Sequence, residues 1–269
     1  APTDIYTLSL HDALPISFYD VGHGDMSLIQ LKETRVLIDT GDGKNSANDI
    51  LRANGVQTLD YLILSHAHKD HLGGTLELMD QMQIEHIILN QSTLDKLKEG
   101  DFDYNGDLIV IDSNDDSNDD SNIYTITSKD KSMKLVVSPE KGKKASEDPN
   151  DDAIIVRFEY LNYKGYFLGD ISSDLLKTID EGDIDFIKTP HHGSKTALDA
   201  AFYSRNQVRM ALTSCSSKYD MPNREVAEMM ASFDILHFTT YRSGQVDLTF
   251  SRDQLKMNTY LNNGGFHGF

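Results

Sequence analysis

Cysteine is all but absent. With Cys215 as its single thiol, the chain can close no internal disulfide and build no multi-cysteine zinc site. A metal centre would have to draw on histidine and carboxylate instead. Long apolar runs are missing too, and no stretch approaches the ~18–20 residues that a membrane helix needs. Basic residues are outnumbered, 25 Lys and Arg against 43 Asp and Glu in 269 residues, for a net charge of −18. A field of that sign repels polyanions at long range and disfavours tight, sequence-independent binding to duplex nucleic acid. It leaves a small phosphodiester substrate open, because bound cations reverse the potential locally.

Hydrophobic residues make up 39% of the chain, enough for a sizeable core in one large domain or two fused half-domains. Residues 112–122 read DSNDDSNDDSN, an acidic repeat whose composition predicts a solvated loop. It lacks the glycine and terminal glutamate of an EF-hand, so calcium binding is the minor alternative. Residues 3–16, TDIYTLSLHDALPI, resemble the translation of a sequencing-adaptor read-through. They have neither the basic start nor the continuous apolar core of a signal peptide. The expected organisation is therefore a non-native segment over 1–16, a single domain over 17–260 and a flexible glycine-rich tail over 261–269. The lone cysteine suits the cytoplasm. An extracytoplasmic location stays open, since a native start would then lie outside this sequence.

Periodicity predicts short strands over 16–19, 26–30 and 35–38, with Gly22-His23-Gly24-Asp25 as a turn. An apolar run over 61–64 stops at a histidine cluster, and a helix is predicted over 75–82. Strands at 86–89 and 108–111 follow, then the acidic loop. A second half opens near Tyr124, with strands at 134–138, 153–160, 166–168, 184–188, 208–213, 236–240 and 246–250. Helices are predicted at 172–179, 197–204 and 224–232. Two β-rich halves with covering helices fit an α/β four-layer sandwich of helix, sheet, sheet, helix.

The chemistry concentrates in Ser65-His66-Ala67-His68-Lys69-Asp70-His71-Leu72-Gly73-Gly74. An apolar strand delivers three histidines and one aspartate into six positions. In an extended loop, residues two apart point the same way, so His66 and His68 can grip one ion while Asp70 and His71 turn toward a second. Imidazole and carboxylate ligands suit zinc, and also manganese or iron.

This segment resembles the H-x-H-x-D-H hallmark of the metallo-β-lactamase superfamily. The likeness extends to Phe18-Tyr19-Asp20-Val21-Gly22-His23-Gly24-Asp25 and Val36-Leu37-Ile38-Asp39-Thr40-Gly41. Phe167-Leu168-Gly169-Asp170 and Pro190-His191-His192-Gly193-Ser194-Lys195-Thr196 follow in the order seen in the branch that contains the competence protein ComEC. The resemblance runs from Ile16 to Phe250 and implies the metallo-β-lactamase fold. It places Asp39 behind the metals as an orienting group and Asp170 as the carboxylate bridging two ions. His191 or His192 would be the late histidine ligand. His191 is preferred, although spacing alone does not choose.

Two departures stand out. Many relatives carry a histidine ligand between the hallmark and the bridging aspartate. Here Pro149-Asn150-Asp151-Asp152-Ala153 stands instead, leaving Asn150 as a weak ligand or substrate contact. In Lys218-Tyr219-Asp220-Met221-Pro222, Met221 takes the place of a family histidine, and a thioether cannot transfer protons. His23, where relatives often have glutamine, is the candidate substitute by position.

The ligand tally then gives one ion His66, His68 and Asp170, and the other Asp70, His71, Asp170 and His191. Ser194, Lys195 and the nearby backbone amides are candidates to hold a phosphate. The expected function is hydrolysis by a metal-activated water, with Asp70, Asp170 and His23 as catalytic residues and two divalent ions, Zn2+ or Mn2+, as cofactors. The expected substrate is a small phosphodiester or single-stranded nucleic acid. Alternatives are a lactonase or thioesterase, and a degenerate member that binds metal or ligand without turnover. No protein partner is indicated.

Overall fold

The structure is a computed structural model, and it describes residues 13–111, 122–139 and 149–261. The expected calcium-binding or solvated loop lies outside the described residues except for Asn122, and the tail lies outside them except for Leu261.

Alternating apolar residues build two sheets that face each other. The larger has eight strands. In chain order they are β1 (Leu14–Phe18), β2 (Ser27–Leu31), β3 (Thr34–Ile38), β4 (Thr58–Ile63), β5 (Gln83–Leu89), β6 (Asp107–Val110), β14 (Val246–Phe250) and β15 (Leu255–Thr259). Their spatial order is β15-β14-β1-β2-β3-β4-β5-β6. The smaller sheet has seven: β7 (Tyr124–Thr127), β8 (Met133–Pro139), β9 (Ile154–Tyr160), β10 (Tyr163–Phe167), β11 (Phe186–Lys188), β12 (Met210–Thr213) and β13 (Leu236–Thr239). In β9, Ile154, Val156, Phe158 and Tyr160 all point into the layer between the sheets, as a period of two requires. They meet Phe18, Phe167, Phe186 and Phe250 there.

Helices cover the outer faces. Against the larger sheet lie α1 (Ala47–Ala53), α2 (Lys69–Leu72), α3 (Thr75–Gln81) and α4 (Gln91–Lys98). Against the smaller lie α5 (Ser173–Leu176), α6 (Ala200–Arg205) and α7 (Arg224–Ser232). This is the expected four-layer sandwich. None of the described helices is long and apolar enough to cross a membrane.

Several boundaries differ from expectation. The first described strand begins at Leu14, ahead of the domain start expected at 17. Leu14, Pro15 and Ile16 pair with Phe250, Thr249 and Leu248, and the Leu14 and Ile16 side chains are fully buried between the sheets. The helix expected over 172–179 is a single turn, Ser173–Leu176, after which the chain runs on irregularly to Ile184. Two helices of seven and eight residues, α1 and α4, were not predicted, and both are set by caps. Ser46 accepts a hydrogen bond from the Asp49 N–H at the start of α1, and Asn90 accepts one from the Thr93 N–H at the start of α4.

The topology gathers the carboxyl ends of parallel strands along one edge. Strands β3, β4 and β5 run parallel in one sheet, as do β10, β11, β12 and β13 in the other. Residues just beyond β3, β4, β10 and β11 therefore converge where the two sheets open, the usual location of sites in α/β sheets.

Candidate metal centre

The loop after β4 carries His66, His68, Asp70 and His71; the loop after β10 carries Asp170; the loop after β11 carries His191 and His192. Two groups of ligand atoms form from them, each with all atoms within 4.8 Å of one another. One is His66, His68 and Asp170; the other is Asp70, His71, Asp170 and His192. Asp170 belongs to both. Its Oδ2 stands 3.8 Å from His66 Nε2 and 3.6 Å from His192 Nε2, and its Oδ1 stands 3.2 Å from His71 Nε2.

His192 therefore completes the second group, and the preference for His191 is corrected. His192 Nε2 lies 3.1 Å from Asp70 Oδ2, whereas His191 Nε2 reaches only within 3.9 Å of Asp170 and its Nδ1 stands 3.3 Å from Thr196 Oγ1. The cause is backbone geometry. His191, His192 and Gly193 have φ of 48°, 51° and 75°, three successive left-handed residues that turn the two imidazoles apart. A non-glycine residue there is strained by about 1–3 kcal/mol. Gly193 is required, since a Cβ would meet Pro222 Cβ at 2.6 Å.

Asp39 sits behind the cluster in a left-handed conformation, φ 59°. Its Oδ1 accepts the Ser65 N–H at 2.8 Å, and its Oδ2 accepts the Ser65 hydroxyl and His71 Nδ1, each at 2.8 Å. The Ser65 hydroxyl, having donated to Asp39, accepts from His66 Nδ1 at 3.0 Å. One carboxylate thus fixes both imidazoles with Nδ1 protonated and Nε2 facing the cluster. His192 is fixed likewise, its Nδ1 donating to the Ser214 carbonyl at 2.9 Å.

The fit to divalent cations rests on buried atoms. Among the described residues, His71 Nε2 and Asp170 Oδ1 are fully buried and, although 3.2 Å apart, are not aligned for a hydrogen bond and have no other partner, an arrangement that costs stability unless something else satisfies them. Electrostatics agree. Burial, with His71 nearby, holds His66 well below its ordinary value, so it is neutral. Burial alone would raise the Asp170 carboxyl, but His192, His71 and His66 pull it well below the carboxylate range. Against the same burial, Asp170, Asp39 and Asp25 raise His71 well above its ordinary value, and Asp170 and Asp25 push His192 up to about 9. In the absence of metal, two imidazolium groups supply the positive charge that the carboxylates demand.

The remaining expected residues fall at the rim. His23 Nε2 lies 3.7 Å from Asp70 Oδ2, and its ring packs between His192 and Tyr219 at 4.5 and 4.2 Å. Burial and the His192 charge lower its pKa, against the pull of Asp70. Tyr219 comes from the loop that carries Met221, so His23 reaches that loop from the opposite sheet. Asn150 lies in the short turn Pro149–Asp152 before β9 and belongs to neither ligand group. The phosphate cradle expected at Ser194 and Lys195 is corrected. The amides of Ser194, Lys195 and Thr196 already donate to the His191 carbonyl, Asn223 Oδ1 and Ser194 Oγ, leaving only the exposed Lys195 side chain free to reach outward.

Sequence reasoning assigned no role to Asp25 or Lys188, and the structure puts both beneath the cluster. They form a buried ion pair, with Asp25 Oδ1 3.5 Å from His192 Nδ1 and Asp25 Oδ2 3.7 Å from His71 Nδ1. The available signal was a lysine ending the short, otherwise apolar strand Phe186–Lys188.

With this geometry in view, comparison is informative. The sequence profile described as the Metallo-beta-lactamase superfamily matches residues 19–203. The chain belongs to the metallo-β-lactamase superfamily. Members of this superfamily bind divalent metals, typically two. The chain is 22% identical over 260 residues to ComE operon protein 3 of Bacillus subtilis (strain 168), covering 86% of this chain. That fits a ComEC-like branch, although the chain spans only about a third of that relative's length (32%). Among solved structures, the metallo-beta-lactamase fold protein YhfI from Bacillus subtilis superposes with a TM-score of 0.59 at 12% identity, covering 87% of this chain and 99% of YhfI. A diphosphatase from the PhnP family superposes with a TM-score of 0.55 at 13% identity, covering 89% of this chain and 99% of that one.

Proposed function

We propose that this metallo-hydrolase cleaves phosphodiesters, acting on a nucleotide-like molecule or on single-stranded nucleic acid. The observation that carries the reading is the placement of Asp170, one buried carboxylate shared by two adjacent ligand groups. His66, His68 and Asp170 would hold one divalent ion, zinc or manganese; Asp70, His71, Asp170 and His192 would hold the other. Three and four protein ligands leave room for water and substrate, as catalytic sites require. When bound, such ions supply Lewis acidity, activating water at neutral pH and offsetting charge on phosphoryl oxygens.

The protein's own groups do the rest. Asp39, directly for His71 and through Ser65 for His66, keeps the lone pairs of both facing the ions. The Ser214 carbonyl does the same for His192, and Asp70 faces both His192 and His23. His23, with its ring against Tyr219 and part of its edge open to solvent, is placed to give a proton to a departing alkoxide. The likeness to a diphosphatase of the PhnP family supports phosphate chemistry over carbonyl chemistry. The test is a panel of single-stranded DNA, RNA, cyclic dinucleotides and phosphocholine esters, with lactones and thioesters alongside, supplied with zinc or manganese. Metal-dependent turnover of a phosphodiester supports the reading. Turnover of lactones or thioesters alone, or of nothing, overturns it.

A further inference from the structure

Four carboxylates crowd the cluster: Asp25, Asp39, Asp70 and Asp170. Asp39, Asp70 and Asp170 have imidazole partners or ligand roles. Asp25 has no place in the two ligand groups described above, yet it is 4% exposed and its backbone and Oδ2 are both engaged. Its N–H donates to the Asp70 carbonyl at 3.0 Å, and its own carbonyl accepts the Gly41 N–H at 2.8 Å, so it ties the histidine loop to the Asp39 loop. Gly24 makes this possible, since a Cβ there would meet the Asp70 carbonyl oxygen at 2.5 Å.

Asp25, Asp39 and His71 also form a third cluster of ligand atoms within 4.8 Å of one another. That cluster is closed to metal by the protein itself. His71 Nδ1 is committed to Asp39, and the ammonium of Lys188, 2% exposed, rests on Asp25. Lys188 Nζ also lies 3.5 Å from the carbonyl of Gly169, next to Asp170. The space left among Asp25, Asp39, Ser65, Gly169 and Lys188 is about 10 Å³, room for one water at most. Among the described residues, Lys188 is the sole lysine or arginine ion-paired with any of the four carboxylates.

We infer that Lys188 is a tethered cation of the metal centre, a positioning residue that holds Asp25 against the backs of His71 and His192. This rests on the two-metal reading above and adds to it. Asp25 approaches Nδ1 of both imidazoles, and both belong to the same ligand group. Loss of Lys188 should therefore disturb the ion held by Asp70, His71, Asp170 and His192, and spare the one held by His66, His68 and Asp170. A charge that acted only by repulsion would do the reverse, because removing it would tighten cation binding.

The experiment is a zinc titration of metal-free protein against a competing chelator. His68→Ala serves as the background that isolates the second group, and His192→Ala as the one that isolates the first. In His68→Ala, adding Lys188→Met is expected to weaken the remaining equivalent roughly 10- to 100-fold, the usual cost of losing outer support. In His192→Ala, it is expected to change affinity by no more than about twofold. Lys188→Met leaves Asp25 buried and unpaired and can fail to fold. Asp25→Asn/Lys188→Met removes both charges, and in His68→Ala it should match Asp25→Asn alone within about twofold. Unchanged or tighter binding in His68→Ala overturns the inference, as does equal loss in both backgrounds or a double variant that differs from Asp25→Asn. A wild-type protein that takes up two equivalents alongside such results leaves the two-metal reading standing. One that takes up none overturns both.

Discussion

Replacing Asp39 with asparagine should damage both ligand groups at once without unfolding the protein. The backbone tolerates the change, because asparagine adopts the left-handed conformation that φ 59° requires. Orientation of the new amide is forced. The Ser65 N–H can only donate, so the amide oxygen must occupy the Oδ1 position, and the NH2 group takes the place of Oδ2. The opposite orientation sets donor against donor at about 1–3 kcal/mol. The NH2 group then donates to His71 Nδ1 and to the Ser65 hydroxyl. Freed from Asp39, that hydroxyl donates to His66 Nδ1. Both imidazoles are thereby driven to carry their proton on Nε2, where it blocks a metal. Recovering the ligand form breaks one hydrogen bond per histidine, about 1–1.5 kcal/mol, or roughly tenfold in affinity for each ion. Folding stability of metal-free protein should also fall, by roughly 1.5–3 kcal/mol, since the Asp39 carboxylate that helps keep His71 charged is lost. The assay pairs zinc competition against a chromogenic chelator with denaturant unfolding followed by circular dichroism. An Asp39→Asn protein that binds both equivalents with wild-type affinity would refute the tautomer argument.

Metal-free protein should lose stability as pH rises from about 6.5 to 9. His192 is raised to about 9 and His71 is raised as well, so their contribution is complete below the ordinary histidine value and vanishes once the folded groups deprotonate. For His192 alone the shift corresponds to roughly 3 kcal/mol. Asp25, Asp70 and Asp170 are depressed and act at the other end, their contribution vanishing as pH falls below about 4. Thermal midpoints by circular dichroism check this, and a midpoint that climbs between pH 6.5 and 9 would contradict it. His192→Ala should remove one metal equivalent while His191→Ala retains both, which elemental analysis of dialysed protein reads directly. His23→Gln should leave metal uptake intact and slow hydrolysis of an alkyl phosphodiester by roughly 10²–10⁴. A nitrophenyl ester, whose leaving group needs no proton, should be far less affected, and equal slowing of the two esters would remove His23 from that role.

The fold was largely legible because strand periodicity and the order of motifs both survive in one dimension. The helix expected around Arg224–Ser232 forms there, with Val226, Met229 and Met230 buried along one face. The Ala47–Ala53 and Gln91–Lys98 helices were missed because short amphipathic segments take their stability from packing, here against α3 and the outer sheet face. Leu14 lies in the stretch that resembles adaptor read-through, yet its alternation with Ile16 and Phe18 is a core-strand pattern. The histidine cluster was readable because its ligands are close in sequence. The choice between His191 and His192 was not, since it depends on three consecutive left-handed residues that no spacing rule anticipates. Asp25 and Lys188 come from turns and strands 163 positions apart, and only the closing of two sheets brings them together.

On the two-ion reading, Asp170 serves two neighbouring cation sites. Elemental analysis of zinc-loaded, dialysed protein, repeated on three variants, tests it directly. Two equivalents are expected in the wild type, one each in His68→Ala and His192→Ala, and the weakening of both in Asp170→Asn. A wild-type protein holding one equivalent or none, or an Asp170→Asn protein that still holds two as tightly, would contradict it.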